Sequence, residues 1–310
     1  METNFKNLTE EMLAFIEESP TAFHAAANVE KILEDAGFLT EQKRENGPAP
    51  GGRCLFVQNG SAVIAVKIPE GRPEGFRIVA SHSDSPCFKL KESPEIRVEG
   101  SYTKLNAEKY GGMLLNTWLD RPLSLAGRAF LKDPQSGKIV SRLVNFREDM
   151  LIIPNVAIHF NREANEGQKL NPQTDLLPLF STDQELTVKE LCARQLGVSS
   201  EEILGSDLYV YNRDKGRILG ADRSLIGSPR LDDLQCAYAA LRGFLEADCS
   251  RSIGVYALFD NEEVGSGTKQ GADSTLLSDV LDILGEGLGL WNNSMEKRRF
   301  LQNSFLLSAA

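Results

Sequence analysis

The chain has three histidines in 310 residues and no two cysteines at Cys-x-x-Cys spacing, so it is poor in the side chains that most often mark a reactive centre. The five cysteines (Cys54, Cys87, Cys192, Cys236, Cys249) are odd in number and scattered, and reduced thiols are the default reading. No run of ~20 apolar residues and no signal peptide is present, so neither membrane insertion nor secretion is indicated, and a cytoplasmic protein is expected. Cations are in the minority, with 34 Lys and Arg against 44 Asp and Glu and a net charge of −10. Phosphate binding needs clustered cations, so this balance argues against a nucleic-acid partner. It does not make the substrate basic, since many soluble proteins are mildly acidic. There is no internal repeat and no low-complexity tract.

The remaining composition is that of an ordinary globular protein, with 41% hydrophobic and 25% charged residues. The length allows a substantial core and more than one domain. The most informative stretch is Asp260-Asn261-Glu262-Glu263-Val264-Gly265-Ser266, directly after the apolar run Ile253 to Phe259. Adjacent glutamates at a strand's C-terminal end can divide two tasks, one holding a divalent metal and the other moving a proton for water. An isolated Glu-Glu pair is as a rule only a solvated acidic turn.

Two further segments change that reading. His82 and Asp84 lie in Ala80-Ser81-His82-Ser83-Asp84-Ser85-Pro86, after the β-rich segment Phe76 to Val79. In such a His-x-Asp pair the carboxylate can orient the imidazole and fix which ring nitrogen carries the lone pair. Asp232 and Asp233 open an apolar-periodic helix with Leu234, Tyr238, Leu241 and Leu245 on one face. Acidic residues there usually do no more than complement the helix dipole.

Two amino-terminal helices are expected, one with Leu8, Met12, Phe15 and Ile16 on one face. Ser19-Pro20 breaks it, and Ala25, Val29, Ile32, Leu33 and Ala36 resume the pattern up to Gly37. Cys54 to Val57 and Ala62 to Ile68 flank Asn59-Gly60, a hairpin signal because both residues tolerate positive φ. Residues 42–52 read as a mobile loop. From residue 91 to about 222 the texture changes to short strands (Ile139 to Val144, Met150 to Ile153, Leu208 to Tyr211), a polar stretch over 161–186, and helical signals at Thr187 to Gln195 and at Ser199 to Glu202, the last with capping-box spacing. Val156 to Phe160 alternates like a strand and contains His159. His24 reads as a satisfied helix residue outside any site.

Taken together, these motifs resemble the M18 metallopeptidases, the aspartyl aminopeptidase family. Other stretches that carry the resemblance are Ser19-Pro20-Thr21-Ala22-Phe23-His24, Ser85 to Lys91, Tyr110-Gly111-Gly112, Thr117-Trp118-Leu119-Asp120-Arg121-Pro122-Leu123 and Ile153 to His159, in family order from near residue 15 to the end. The resemblance implies an α/β fold: a mixed sheet sandwiched by helices, the zinc-peptidase-like catalytic domain, over residues 1–90 and 223–310. A β-rich dimerisation domain over 91–222 would be inserted into it. It implies a pair of divalent ions, zinc first with cobalt or manganese as alternatives. His82 would bind one ion, Asp232 would bridge both, Glu263 would bind the second, Glu262 would be the general base, and Asp84 would steady His82. His159 would reach the active site of a neighbouring subunit.

The implied activity is release of amino-terminal residues, with acidic ones the expected preference, from peptides through a metal-activated water. The implied assembly is a homo-oligomer built from dimers, with no membrane partner. The chain departs from the family at its end, where Ala310 stands at the place of an aspartate ligand and a later histidine ligand is absent. Each ion would then keep two protein ligands, short of the usual three or more. A piece of a longer chain is the expectation, a truncated product or a naturally shortened homologue the alternatives. A catalytically impaired subunit with an assembly role is the competing function. A hydrolase using Ser85 or Cys87 is weak, because no histidine partners either in a triad context.

Overall fold

The computed structural model describes residues 2–40 and 47–309. Residues 42–46 of the expected 42–52 loop, and Ala310, lie outside the described residues. The chain divides into two compact units, one formed by residues up to Ser85 together with those from Gly216 onward, the other by Pro86–Lys215.

The first unit is built on a six-stranded mixed sheet in the order Leu39–Thr40, Arg53–Gln58, Ala62–Lys67, Ile253–Phe259, Phe76–His82, Phe305–Ser308. Ile253–Phe259 runs antiparallel to Ala62–Lys67 and parallel to Phe76–His82, which in turn pairs in parallel with Phe305–Ser308. Every residue of Ile253–Phe259 is buried, which is why it reads as a continuous apolar run and not as an alternating one. Its alternate side chains serve two cores. Tyr256 and Leu258 join Val63, Ala65 and the helices Glu2–Glu18, Ala22–Asp35 and Leu231–Glu246 through Phe15, Ile16, Val29, Leu33, Leu234 and Leu241. Val255 and Ala257 join Ile64, Val66, Ile78 and, from the helix Leu276–Gly287, Val280 and Leu284. Helices thus cover both faces, as an α/β sheet without a solvated face requires.

The expected amino-terminal helices are present, and Gly37 follows the second in the left-handed region at φ 84°. The hairpin at Asn59-Gly60 is also present, with positive φ at both residues. His24 is buried in the second helix with Nδ1 2.8 Å from the Thr21 hydroxyl.

The second unit is an antiparallel sheet in the order Ile139–Asn145, Leu123–Lys132, Ile203–Asn212, Cys87–Val98, Tyr102–Tyr110, Leu179–Ser181. Its core gathers Phe88, Leu105, Leu123, Leu125, Ile153 and Val210. The helix Val188–Leu196 starts on a capping box between Thr187 and Glu190. The expected capping box between Ser199 and Glu202 is present and closes the 3₁₀ turn Ser200–Glu202, and the strand Ile203–Asn212 starts at the next residue. Two expectations here need correction. Met150 to Ile153 makes only isolated bridges, through Leu151 and Ile152. Val156 to Phe160 is no strand: the segment is exposed and turns at Ile158 to Phe160, where the Phe160 amide bonds the Ala157 carbonyl, so its alternation has no sheet to pack on.

Candidate metal centre

Parallel pairing fixes the site. His82 is the last residue of its strand and lies in register with Phe259, the last of the neighbouring strand. The segments that follow both strands therefore leave the sheet side by side at their carboxyl ends, where α/β folds place their sites. Ser83 ties these ends together: its amide donates to the Phe259 carbonyl at 2.8 Å, and its buried hydroxyl donates to the carbonyls of Phe259 and Ser61 at 3.0 Å each.

The third segment comes from the start of the helix Leu231–Glu246. Asp232 and Asp233 have non-helical backbone angles, so their side chains are not carried on the regular helical surface. The His82 amide donates to Asp233 Oδ2 at 2.9 Å, and the Ser85 hydroxyl donates to the Asp232 carbonyl at 2.8 Å. Chain segments about 150 residues apart in sequence are thus tied together through the His82 backbone and the Ser85 side chain.

His82 Nδ1 is 3.3 Å from Asp84 Oδ1, while Nε2 is 3.4 Å from Asp232 Oδ1 and 3.9 Å from Asp233 Oδ2. Ligand atoms of His82, Asp232 and Asp233 all lie within 4.8 Å of one another. His82, Asp84 and Asp233 are buried and Asp232 is 77% exposed, so the cluster opens to solvent on the Asp232 side. Glu262 and Glu263 begin a 3₁₀ turn, and their amides donate to Asp84 Oδ1 at 3.2 Å and Oδ2 at 3.1 Å. That turn closes through the Ser266 and Gly265 amides onto the carbonyls of Asn261 and Glu262. The Asn261 side-chain oxygen accepts from Thr268 and Gln270.

The electrostatics call for a cation. Burial works against the His82 imidazolium, but the Asp84 hydrogen bond and the charges of Asp233, Asp84 and Glu262 outweigh it and raise the group to about 9. Burial, followed by the charges of Asp84 and Asp232, pushes the Glu263 carboxyl up to about 7. Asp233 is also raised, chiefly by burial. Five carboxylates thus gather around one imidazole. The donor set of one nitrogen and several oxygens suits a divalent ion of the zinc type, and Asp84 on Nδ1 leaves Nε2 turned toward Asp232 and Asp233.

The structure therefore brings together His82, Asp84, Asp232, Glu262 and Glu263. The converging donor group also contains Asp233, to which the sequence reading assigned no role. Its only signal was adjacency to Asp232, and adjacency does not say which carboxylate turns inward. His159 belongs to the other unit and is exposed there.

Comparison with known proteins agrees with this geometry. The family model described as "Aminopeptidase I zinc metalloprotease (M18)" matches residues 15–310. A curated relative, "Probable M18 family aminopeptidase 2" of Clostridium novyi (strain NT), is 41% identical over 307 residues, covering 96% of this chain and 70% of that protein. Among solved structures, the one titled "Cryo-EM structure of the Ape4 and Nbr1 complex" superposes with a TM-score of 0.90 at 30% identity, over 98% of this chain and 63% of that one. Chaetomium thermophilum mApe1 superposes at 0.88 and 28% identity, over 97% of this chain and 74% of its own. The chain thus spans between three fifths and three quarters of the lengths of these proteins. With its sheet, its acidic cluster and 296 consecutive residues matched, the chain belongs to the M18 family of zinc metalloproteases.

Proposed function

We propose that this chain carries the catalytic machinery of a metal-dependent aminopeptidase that releases amino-terminal residues, acidic ones by preference, from peptides. The observation that carries the proposal is the convergence of His82, Asp232 and Asp233 beside a Glu-Glu pair whose backbone hangs from Asp84. His82 and Asp232 would hold one divalent ion, and Asp232 and Glu263 a second, with Asp233 close enough to take part. Zinc in such a site, once bound, supplies Lewis acidity toward the scissile carbonyl and the attacking water.

The remaining roles fall to side chains. Glu262, exposed at the mouth of the cluster, accepts the proton of the attacking water and returns it to the leaving amine. Asp84 holds Nδ1 of His82, so the imidazole presents its other nitrogen. The acidic preference rests on the family resemblance. So does the role offered for His159, which would touch substrate bound to a second copy of the chain.

Residues 91–222 would carry the self-association surface of a homo-oligomer built from dimers. In that span Ile139, Leu143, Val156 and Phe160 are exposed apolar residues. None of the helices among the described residues is long and apolar enough to cross a membrane. The test is hydrolysis of Asp-, Glu- and Leu-terminated chromogenic substrates before and after chelation, with zinc, cobalt or manganese added back. Loss on chelation and recovery with metal are expected, fastest on the acidic substrates. Full turnover after verified metal removal would defeat the proposal, and equal rates on all three substrates would remove the acidic preference.

A further inference from the structure

We propose that Asp84 is a positioning residue for the Glu262-Glu263 backbone as well as for the His82 ring, so that one carboxylate keeps the two halves of the centre in register. Both of its oxygens are committed. Oδ1 lies 3.3 Å from His82 Nδ1, which is also 3.2 Å from the Asp84 carbonyl, and accepts from the Glu262 amide at 3.2 Å, while Oδ2 accepts from the Glu263 amide at 3.1 Å. The side chain is only 3% exposed, so water does not compete strongly for these bonds.

The first amides of a helical turn have no partner within the turn, and here a buried carboxylate supplies one to each of two. The two strands end in register, but the chain reverses after Phe259 through Asn261 in the left-handed region, so strand pairing alone does not set where the glutamates point. The Asp84 carboxylate sets it. An asparagine there has one oxygen where two backbone amides each need an acceptor, and its amide group sets a donor against one of them. The shape is kept, but at least one of the two backbone bonds is lost. The effect on turnover rests on the roles proposed for Glu262 and Glu263, whereas the hydrogen-bonding claim does not.

The experiment is amide hydrogen exchange, resolved at Glu262 and Glu263, on the metal-free 310-residue chain and its Asp84→Asn and His82→Ala variants. The parent should protect both amides at least tenfold relative to an unstructured peptide. Asp84→Asn should lose that protection at one or both while the amides of Val255 to Leu258 stay protected, and His82→Ala should keep it. Exchange at the unstructured rate at either amide of the parent overturns the proposal, however the variants fold. Unchanged protection in Asp84→Asn, or equal loss in His82→Ala, also overturns it, because the effect would then belong to the imidazole.

In zinc-loaded protein, Asp84→Asn should lower kcat about 100-fold with little change in KM, as expected for a base displaced by about an ångström. A kcat loss without any change in amide protection would assign the whole effect to His82.

Discussion

Gly271 packs against the backbone of Ser266 at the end of the acidic turn without belonging to that turn, and replacing it by alanine is the sharpest structural test of the centre. A Cβ built there would lie 2.0 Å from the Ser266 carbonyl oxygen and 2.6 Å from its carbon, both backbone atoms that cannot rotate away. An ordinary contact needs roughly 1 Å or more of additional space. The carbonyl that must retreat belongs to the residue whose amide closes the turn onto Asn261, so the displacement passes directly to Glu262 and Glu263. Gly271→Ala should cost about 1–3 kcal/mol of stability by overpacking. It should weaken zinc binding about 10- to 100-fold, the range for residues that support a ligand without touching the metal.

Gly267→Ala is the matched control. The nearest atom to its added methyl is the Gly265 carbonyl oxygen at 3.9 Å, an ordinary contact. Neither glycine has positive φ, so backbone strain does not separate the two variants. Zinc affinity would be measured by competition with a chelating dye, and stability by guanidinium titration of the metal-free proteins. Equal zinc affinity in the two variants would refute the claim that Gly271 holds the acidic turn in place.

Metal-free protein should lose stability as pH rises. His82 is raised from 6.5 to about 9 in the fold, so its contribution is complete below about 6.5 and disappears as pH climbs through 9. At about 1.4 kcal/mol for each tenfold change in proton affinity, this is on the order of 3 kcal/mol. Glu263, also raised, acts in the same direction between 4.5 and about 7. Denaturation midpoints at pH 6.5 and 9.5 should therefore differ in the metal-free parent and much less in His82→Gln, and equal shifts in both would remove His82 as the cause. Glu262→Gln should keep its metal while losing most turnover, whereas Glu263→Gln should release metal. Elemental analysis showing equal metal loss would mean the pair is assigned wrongly. Asp233→Asn should lower zinc affinity at least tenfold although its oxygen can still accept from the His82 amide, because a converging charge is removed; unchanged zinc content at limiting metal would exclude Asp233 from the coordination sphere.

Much of this protein could be read along the chain. Its M18 family and its mixed α/β fold were legible, and the motifs holding His82, Asp84, Asp232, Glu262 and Glu263 could be singled out as candidates because each sits at a strand end or helix start with a local signature. A run buried on both faces shows as uninterrupted apolar residues, as Ile253–Phe259 does, and a hairpin shows as Asn59-Gly60. What stayed hidden depends on partners distant in sequence. Val156 to Phe160 alternates as a strand would, but alternation becomes a strand only where a neighbouring edge accepts its amides, and none does so there among the described residues. Asp232 and Asp233 are chemically identical neighbours, and the His82 amide arriving from the sheet bonds Asp233, the buried one. Asp84 could be read as a partner for the histidine two residues before it. That it also accepts from the backbone of two glutamates nearly 180 residues later is decided by tertiary packing alone, which brings the ends of two parallel strands side by side.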